Sequence, residues 1–352
     1  MMQALRATSS RQLLHVLLAL VLAAGLAQPL RAQDAPAQPL AGASGASAST
    51  AKAADKAYSS IDLDWRDEQR QRAVPAKLYW PEPDAGKPAA NGVPLVVFSH
   101  GIGGSRNGYS YLGSFWASHG VASLHVQHVG SDRGLWMGNP LGLVGRLQGA
   151  AREDEALNRV RDVSFALDQL LASDWGQQLD PARIVAAGHS YGANTSLLLS
   201  GARISREGQV LPLRDPRIKA AIIISAPPFY GQQDSEAILQ GISVPTLHIT
   251  ASEDVIRIPG YFSAAEDRIK VFQATGGPDK ALAVFQGGSH SIFTDRAGTG
   301  GVALNPRVKA ATRELTLAFL HRIFAGERSE LSQWPERYRD LLARWEPPRA
   351  AD

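Results

Sequence analysis

A serine lies at the centre of a short glycine pattern, Gly188-His189-Ser190-Tyr191-Gly192, which has the form G-x-S-x-G. Glycine at both ends allows a very tight turn from a strand into a helix, and such a turn lifts the central hydroxyl above the edge of a sheet. The strand-like sequence RIVAAGHS leads into the turn, and the helix-like sequence YGANTSLLLSGA follows it. This context favours a nucleophilic Ser190 over the alternative, a glycine-rich turn with an idle serine.

A serine hydroxyl is a weak nucleophile at its own pKa, so Ser190 needs a base. Three histidines follow it in the chain. His248 lies within the strand-like PTLHIT and His321 within a helical pattern, whereas His290 lies in the glycine-rich loop GGSHSIF directly after the strand-like ALAVF. We therefore predict that His290 is the base, with a purely structural loop histidine as the alternative.

An acid must hold the imidazole in the correct tautomer. In one common chain order of such triads this acid lies between the serine and the histidine. The sequence ITASED ends a predicted strand there and offers Glu253 and Asp254. We predict Asp254 as the acid and keep Glu253 as the alternative. The other interpretation of the pair is a solvated loop charge or a helix-capping acid.

A tetrahedral intermediate also needs backbone N–H donors for its oxyanion. One donor is expected directly after the nucleophile, at Tyr191, and the other in a loop after an earlier strand. The sequence FSHGIGG follows the strand-like LVVF at residues 98–104, and we predict the Ile102 N–H as this second donor. The alternative, a nucleotide-binding glycine turn, lacks the spacing of either common phosphate-binding motif.

Three aromatic residues are candidates for a substrate pocket. Trp136 lies in the long loop SDRGLWMGNPLGLVGRLQG, and such loops often form lids or pockets. Phe229 and Tyr230 follow SAPP at a strand end, where pocket lining and plain packing are equal alternatives. His119, His125 and His128 are close in sequence, but positions 125 and 128 of a strand face opposite sides, which disfavours a metal site.

The alternation of apolar β-rich runs with helical patterns predicts an α/β fold with a mostly parallel central sheet and helices on both faces. Several strand-like runs are apolar throughout, as expected where both sheet faces are buried. The segment IDLDWRDEQRQRAVPAKLYWP predicts an antiparallel edge hairpin that turns at Arg66–Arg72. The predicted strands are 95–98, 122–126, 184–187, 218–225, 246–250 and 281–285, and the clearest predicted helices are 153–172 and 306–324.

The first 32 residues have the layout of a secretory signal peptide: early arginines, an apolar run from Leu13 to Leu26, then small residues that suit cleavage after Ala27 or Ala32. The alternative is a membrane anchor, which needs about 20 apolar residues. We expect no integral membrane segment once this leader is removed.

The remaining chain divides into three parts by composition. Residues 33–57 are rich in Ala, Ser, Gly and Pro and predict a flexible linker. Residues 58–328 are expected to form the catalytic domain. Residues 329–352 carry apolar residues at helical spacing and predict a C-terminal amphipathic helix that docks on the core, with a partner-binding face as the alternative; the stripe comprises Leu331, Trp334, Tyr338, Leu341, Leu342 and Trp345.

Composition excludes several classes of protein. The 352 residues include no cysteine, which excludes thiolate nucleophiles and sites that depend on cysteine ligands. The chain has 36 Lys and Arg against 33 Asp and Glu, a net charge of +3. Residues 1–32 carry Arg6, Arg11 and Arg31 and no acid, so the remainder has a net charge near zero. We therefore expect no nucleic-acid partner, since such partners select a strongly basic surface.

The motifs HGIGG, GHSYG, ASED and GGSH each follow a predicted strand, in this order. Together they resemble the α/β-hydrolase superfamily over about residues 60–325. The sequences FSHGIGGSRNGYSYLGSFWASHG, GHSYGA and SHSIFTD resemble the branch that contains dienelactone hydrolase-like proteins, bacterial polyester hydrolases and platelet-activating factor acetylhydrolases. The resemblance implies a serine hydrolase that acts on carboxylic esters without a metal or cofactor.

The chain departs from this branch in two places. Dienelactone hydrolases use cysteine where this chain has Ser190. Platelet-activating factor acetylhydrolases take their acid from the strand after the nucleophile helix, where this chain reads IIISAPP and has Ser225 and no carboxylate. The second departure favours Asp254 as the acid.

The sequence thus predicts an exported serine hydrolase, periplasmic or secreted, whose substrate is a small-molecule or polymeric ester. Two alternatives remain: a serine peptidase or amidase with the same fold, and a catalytically silent binding protein, since a fold does not determine its function. The sequence does not indicate an oligomeric state.

Overall fold

The computed structural model describes residues 57–82, 92–229, 234–258 and 261–349. The predicted signal peptide, all of the predicted linker except Ala57, and Tyr230 lie outside the described residues.

Nine of the described strands form one sheet in the order β1-β2-β4-β3-β5-β8-β9-β12-β13. The six strands from β4 to β12 in that order pair in parallel, and the β1–β2, β2–β4 and β12–β13 pairs are antiparallel. The predicted mostly parallel sheet is confirmed. The sheet strands are β1 Tyr58–Asp67, β2 Arg72–Pro81, β3 Val93–Ser99, β4 Ala122–Val126, β5 Leu179–His189, β8 Ile218–Ile224, β9 Thr246–Glu253, β12 Lys280–Ser289 and β13 Leu342–Glu346.

Helices cover both faces of this sheet, because successive side chains of a buried strand point to opposite sides. Leu95 and Val97 of β3 pack in one core with helices α3 (Glu153–Leu171) and α4 (Tyr191–Ser200). Val96 and Phe98 of the same strand pack in a second core with helices α1 (Ser110–Ser118) and α7 (Leu304–Ala325). The helices are α1 Ser110–Ser118, α2 Leu143–Ala150, α3 Glu153–Leu171, α4 Tyr191–Ser200, α5 Ser235–Leu239, α6 Ala265–Ala274, α7 Leu304–Ala325 and α8 Ser329–Arg337. Among these helices, none is long and apolar enough to cross a bilayer.

Two short antiparallel pairs lie outside the main sheet. Strands β6 (Ser205–Arg206) and β7 (Gln209–Val210) form one pair. Strands β10 (Ile256–Ile258) and β11 (Tyr261–Ser263) form the other, which begins two residues after Asp254.

The predicted edge hairpin is present: β1 pairs with β2 from Tyr58–Pro81 to Asp67–Arg72. The opposite edge differs from the prediction of one C-terminal helix. Helix α8 ends at Arg337, and Leu342–Glu346 forms β13, which pairs with β12. An unpaired β12 would expose its backbone N–H and C=O groups, so pairing with the edge outweighs the helical spacing of the apolar residues.

The segment nevertheless docks on the core, as predicted. Trp334 is buried, its indole N–H donates to the Ala311 carbonyl at 3.0 Å, and its ring lies 5.4 Å from that of Trp345. Residues on both sides of the helix-to-strand change therefore belong to the second core.

His248 provides a test of core burial. Its ring meets Phe272 edge-on at 5.3 Å, and burial, aided by the charge of Lys280, lowers its pKa to about 3. The unfolded chain binds a proton near pH 6.5. The free energy of unfolding therefore falls as the pH drops from 6.5 towards 3. The wild type should therefore lose unfolding free energy between pH 7 and pH 5. We expect this loss, measured by urea unfolding, to be smaller by about 2 kcal/mol in His248→Met.

The control for this experiment is Phe272→Leu, which alters the ring that His248 contacts and removes no titratable group. It should leave the pH-dependent loss of stability close to that of the wild type. An equal loss in the wild type and in His248→Met would contradict the neutral burial of His248.

Candidate active site

Ser190 lies at the turn between β5 and α4, at the carboxyl edge of the sheet. Its φ of 56° is rare for a residue with a side chain. A Cβ atom on Gly188 would lie 2.2 Å from the Gly192 carbonyl oxygen, and one on Gly192 would lie 1.9 Å from the Ser99 carbonyl oxygen. Glycine is therefore required at both positions. The Ser190 N–H donates to the Ile224 carbonyl at 2.8 Å and fixes the turn to β8.

The structure brings the three predicted triad side chains together. His290 Nε2 lies 2.8 Å from Ser190 Oγ, and His290 Nδ1 lies 2.7 Å from Asp254 Oδ1. An ionised carboxylate only accepts hydrogen bonds, so the Nδ1–H donates to Asp254 and leaves Nε2 free to accept the serine proton. This is the tautomer that a general base requires.

Asp254 is fully buried at the end of β9, whereas its neighbour Glu253 is exposed. Thr250 donates its hydroxyl to Asp254 Oδ2 at 2.8 Å. Burial alone would raise the pKa of Asp254, but the His290 hydrogen bond and the charges of His290 and Arg268 outweigh it and hold the pKa well below its usual range. The carboxylate is therefore ionised at neutral pH.

Arg268 on α6 supplies a buried positive charge behind this carboxylate. Its Nη2 lies 3.4 Å from Asp254 Oδ1, and its Nη1 donates to the Ala264 carbonyl at 2.9 Å. Nothing in the sequence motifs indicated Arg268. It comes close to Asp254 only because the β10–β11 hairpin leads the chain back into α6.

A second histidine fixes the backbone of the first. The Nε2–H of His189 donates to the His290 carbonyl at 3.0 Å, and the Tyr109 hydroxyl donates to His189 Nδ1 at 2.8 Å. Burial, followed by the nearby charge of His290, lowers the pKa of His189 to about 3. His189 is therefore neutral and keeps both hydrogen bonds. The sequence did not indicate Tyr109.

The two predicted oxyanion donors lie beside Ser190 in one cavity. Tyr191 is the first residue of α4, so its N–H has no acceptor within the helix. His100 Nε2 accepts from the His128 N–H at 3.1 Å, so its Nδ1–H donates to the Gly101 carbonyl at 2.7 Å. The N–H of Ile102 belongs to the same peptide as that carbonyl and points the opposite way.

A buried arginine lies beneath this pair. Arg159 on α3 donates to Thr195 Oγ1 at 3.0 Å and to the His100 carbonyl, and its guanidinium carbon lies 4.5 Å from the centre of the Tyr191 ring. Burial lowers its pKa to about 10, which still leaves it charged at neutral pH. The sequence offered a signal for this residue: in the predicted helix 153–172, Arg159 falls three residues after Ala156 and four before Val163, which places a charge on the same face as these apolar residues.

The cavity at Ser190 has a volume of about 660 Å³. Trp136 lines it, is 49% exposed, and donates its indole N–H to the Gly103 carbonyl at 2.9 Å. Phe229 lines it as well, whereas Tyr230 lies outside the described residues. Two of the predicted pocket residues are thus placed at the cavity.

The histidines near β4 have protein partners of their own. His125 Nδ1 lies 3.1 Å from the Gly108 carbonyl, and His128 lies between Asp162 and Ser99 at 3.2 Å from each. These contacts use one ring nitrogen of His125 and both ring nitrogens of His128.

Comparison with known proteins finds similarity to a protein family and to a curated protein. The family described as platelet-activating factor acetylhydrolase, isoform II, matches residues 77–133, which run from β2 through the Ile102 loop. The platelet-activating factor acetylhydrolase of Cavia porcellus is 29% identical over 152 residues, which cover 35% of this chain and 34% of that protein. The match thus spans about a third of the curated relative.

A solved structure, a ferulic acid esterase from Streptomyces cinnamoneus, superposes with a TM-score of 0.58 and 23% identity, and covers 79% of this chain and 93% of that one. At this identity the likeness concerns the fold. The chain has the α/β-hydrolase fold, and its sequence matches fit the platelet-activating factor acetylhydrolase-like branch that its motifs resemble.

Proposed function

We propose that this protein is an exported serine hydrolase that cleaves carboxylic esters through an acyl-enzyme intermediate. The observation that carries the proposal is the continuous hydrogen-bonded path from Ser190 Oγ through His290 to the buried carboxylate of Asp254. A nucleophile, a base and an orienting acid in contact are the arrangement that activates a serine.

In the first half-reaction Ser190 Oγ attacks the ester carbonyl carbon while His290 Nε2 takes its proton. The oxyanion accepts hydrogen bonds from the N–H groups of Ile102 and Tyr191. The intermediate then collapses, the C–O bond to the alcohol breaks, and the imidazolium returns the proton to the departing alkoxide. Asp254 stabilises the imidazolium throughout.

In the second half-reaction water replaces the alcohol. His290 removes a proton from the water as it attacks the acyl carbon, and the second tetrahedral intermediate collapses with Ser190 as leaving group. The same proton restores the serine hydroxyl. The products are a carboxylic acid and an alcohol, and the reaction consumes one water.

The comparisons favour esters over amides, since both relatives are named for ester-cleaving activities. The catalytically silent alternative is disfavoured by the contact of all three triad side chains at 2.7 to 2.8 Å. Export is supported by the basic start and apolar run of residues 1–32.

Ser190→Ala removes the nucleophile. We expect kcat for a short p-nitrophenyl ester to fall by at least about a thousandfold, because His290 then has no serine hydroxyl to deprotonate. Ser105→Ala is the matched control, since Ser105 lines the same cavity without touching the triad, and it should retain most of the activity. Wild-type turnover by Ser190→Ala would falsify the assignment.

Asp254→Asn tests the choice of acid. The amide cannot hold His290 in the correct tautomer, so we expect kcat to fall by about a thousandfold to ten-thousandfold. Glu253→Gln removes the adjacent exposed carboxylate and should leave kcat within about twofold of wild type. The reverse pattern in steady-state kinetics would assign the role to Glu253 instead.

A further inference from the structure

Three arginines line the cavity at Ser190, and each comes from a different segment. Arg133 begins the 3₁₀ turn that also carries Trp136, Arg257 lies on β10 just after the predicted acid, and Arg296 follows the turn that carries His290. All three side chains are exposed. They therefore lie at the solvent-facing mouth of the cavity.

No described carboxylate lies within 4.0 Å of any of these three guanidinium groups. Arg257 packs against the Phe262 ring at 5.5 Å, and this ring carries no net charge to neutralise the guanidinium. Two acids also line the cavity: Glu153 faces Arg206 at 3.6 Å, and Asp295 accepts the Ser110 N–H at 2.9 Å and keeps its negative charge. Three arginine charges against two carboxylate charges, one of them paired with a further arginine, leave the mouth net positive.

The interior of the same cavity is apolar. Its buried or half-buried lining includes the apolar side chains of Leu147, Leu198, Ile204, Phe229 and Ile256. A cavity of about 660 Å³ lies within the range of small-molecule sites. The apolar interior is therefore expected to bind an apolar group, and the arginine-lined mouth is expected to bind an anion.

We propose that the preferred substrates are carboxylic esters with an apolar acyl group and an anionic alcohol part. This inference rests on the proposed function and specifies its substrate class. The acyl group enters the apolar interior, and the anion stays at the mouth near Arg133, Arg257 and Arg296. Guanidinium groups match carboxylate and phosphate oxygens with paired donors. Because the arginines are exposed, salt screens them, and each should contribute a few-fold effect.

The test compares para-hexanoyloxybenzoate with its methyl ester, which has the same acyl group and no charge. We expect the ratio of kcat/KM, anionic over neutral, to fall by about tenfold in the triple variant Arg133→Gln, Arg257→Gln, Arg296→Gln. The ratio cancels the intrinsic difference between the two leaving groups, since only the protein changes. The wild-type ratio should also fall as NaCl rises from about 20 mM to about 500 mM.

A matched control replaces three arginines of the C-terminal segment by glutamine and so removes the same number of positive charges. These arginines, none of which lines the cavity, are Arg328, Arg339 and Arg344. It should keep the wild-type ratio. An unchanged ratio in the cavity triple, or an equal loss for both esters, would overturn the inference. If the ratio falls as far in the control variant as in the cavity triple variant, the inference is also overturned. The preference for the anionic ester would then depend on the net charge of the protein and not on the position of the three arginines.

A binding measurement separates this inference from the proposed function. Isothermal titration of para-hexanoyloxybenzoate into Ser190→Ala, with and without the three cavity substitutions, needs no turnover if the ester stays intact. We expect Kd to rise by about tenfold in the combined variant, and equal Kd values would overturn the inference. If Ser190→Ala still hydrolyses the ester, the proposed function fails, and the same titration with non-hydrolysable para-hexyloxybenzoate then decides the inference.

Discussion

The site depends on one steric constraint, the space available at the turn after β5. Gly192 packs against the Ser99 carbonyl so closely that a methyl group would overlap it, and Ser190 adopts a positive φ as a result. Strain of this kind persists only where the surroundings enforce it. Here the enforcing contacts are the hydrogen bond to Ile224 and the neighbouring strands of the sheet. The same closeness brings the oxyanion loop after β3 beside the nucleophile.

Buried charge is the second constraint on this architecture. An isolated carboxylate at Asp254 would be costly to bury, and His290, Thr250 and Arg268 together supply its partners. Arg159 has the corresponding position on the other side of the site, where hydroxyl oxygens and the Tyr191 ring contact it and the charges of Glu155 and Asp162 lie nearby. Both arginines connect a helix to the catalytic edge, so helix packing and the geometry of the site are coupled.

The sequence predicted the features that depend on local pattern. The G-x-S-x-G turn, the apolar strands and the edge hairpin each follow from a few adjacent residues, and the order of the motifs along a parallel sheet was enough to place Asp254 and His290 at one edge. The helix prediction for 329–352 was wrong beyond Arg337, because a vacant strand edge lies about 60 residues earlier in the chain and has no local signature.

Contacts between distant segments explain what the sequence could not indicate. Tyr109 and His189 are 80 residues apart, and Arg159 reaches His100 across 59 residues. Such pairs form only when the helices pack against the sheet, so the residues next to each partner in the sequence do not indicate them. Arg268 meets Asp254 across a shorter separation, but only through the path of the hairpin between them. Of the two arginines, only Arg159 has a trace in the sequence, as a charge among apolar positions of the predicted helix 153–172.

If the triad acts as proposed, His290 and Asp254 activate one hydroxyl, that of Ser190. Time-resolved labelling with a fluorophosphonate, followed by peptide mass spectrometry, measures this activation without any assumption about the natural substrate. We expect a single adduct on the peptide that contains Ser190, formed at least about a hundredfold more slowly in His290→Gln. An adduct on another residue, or equal labelling rates in the two proteins, would contradict it.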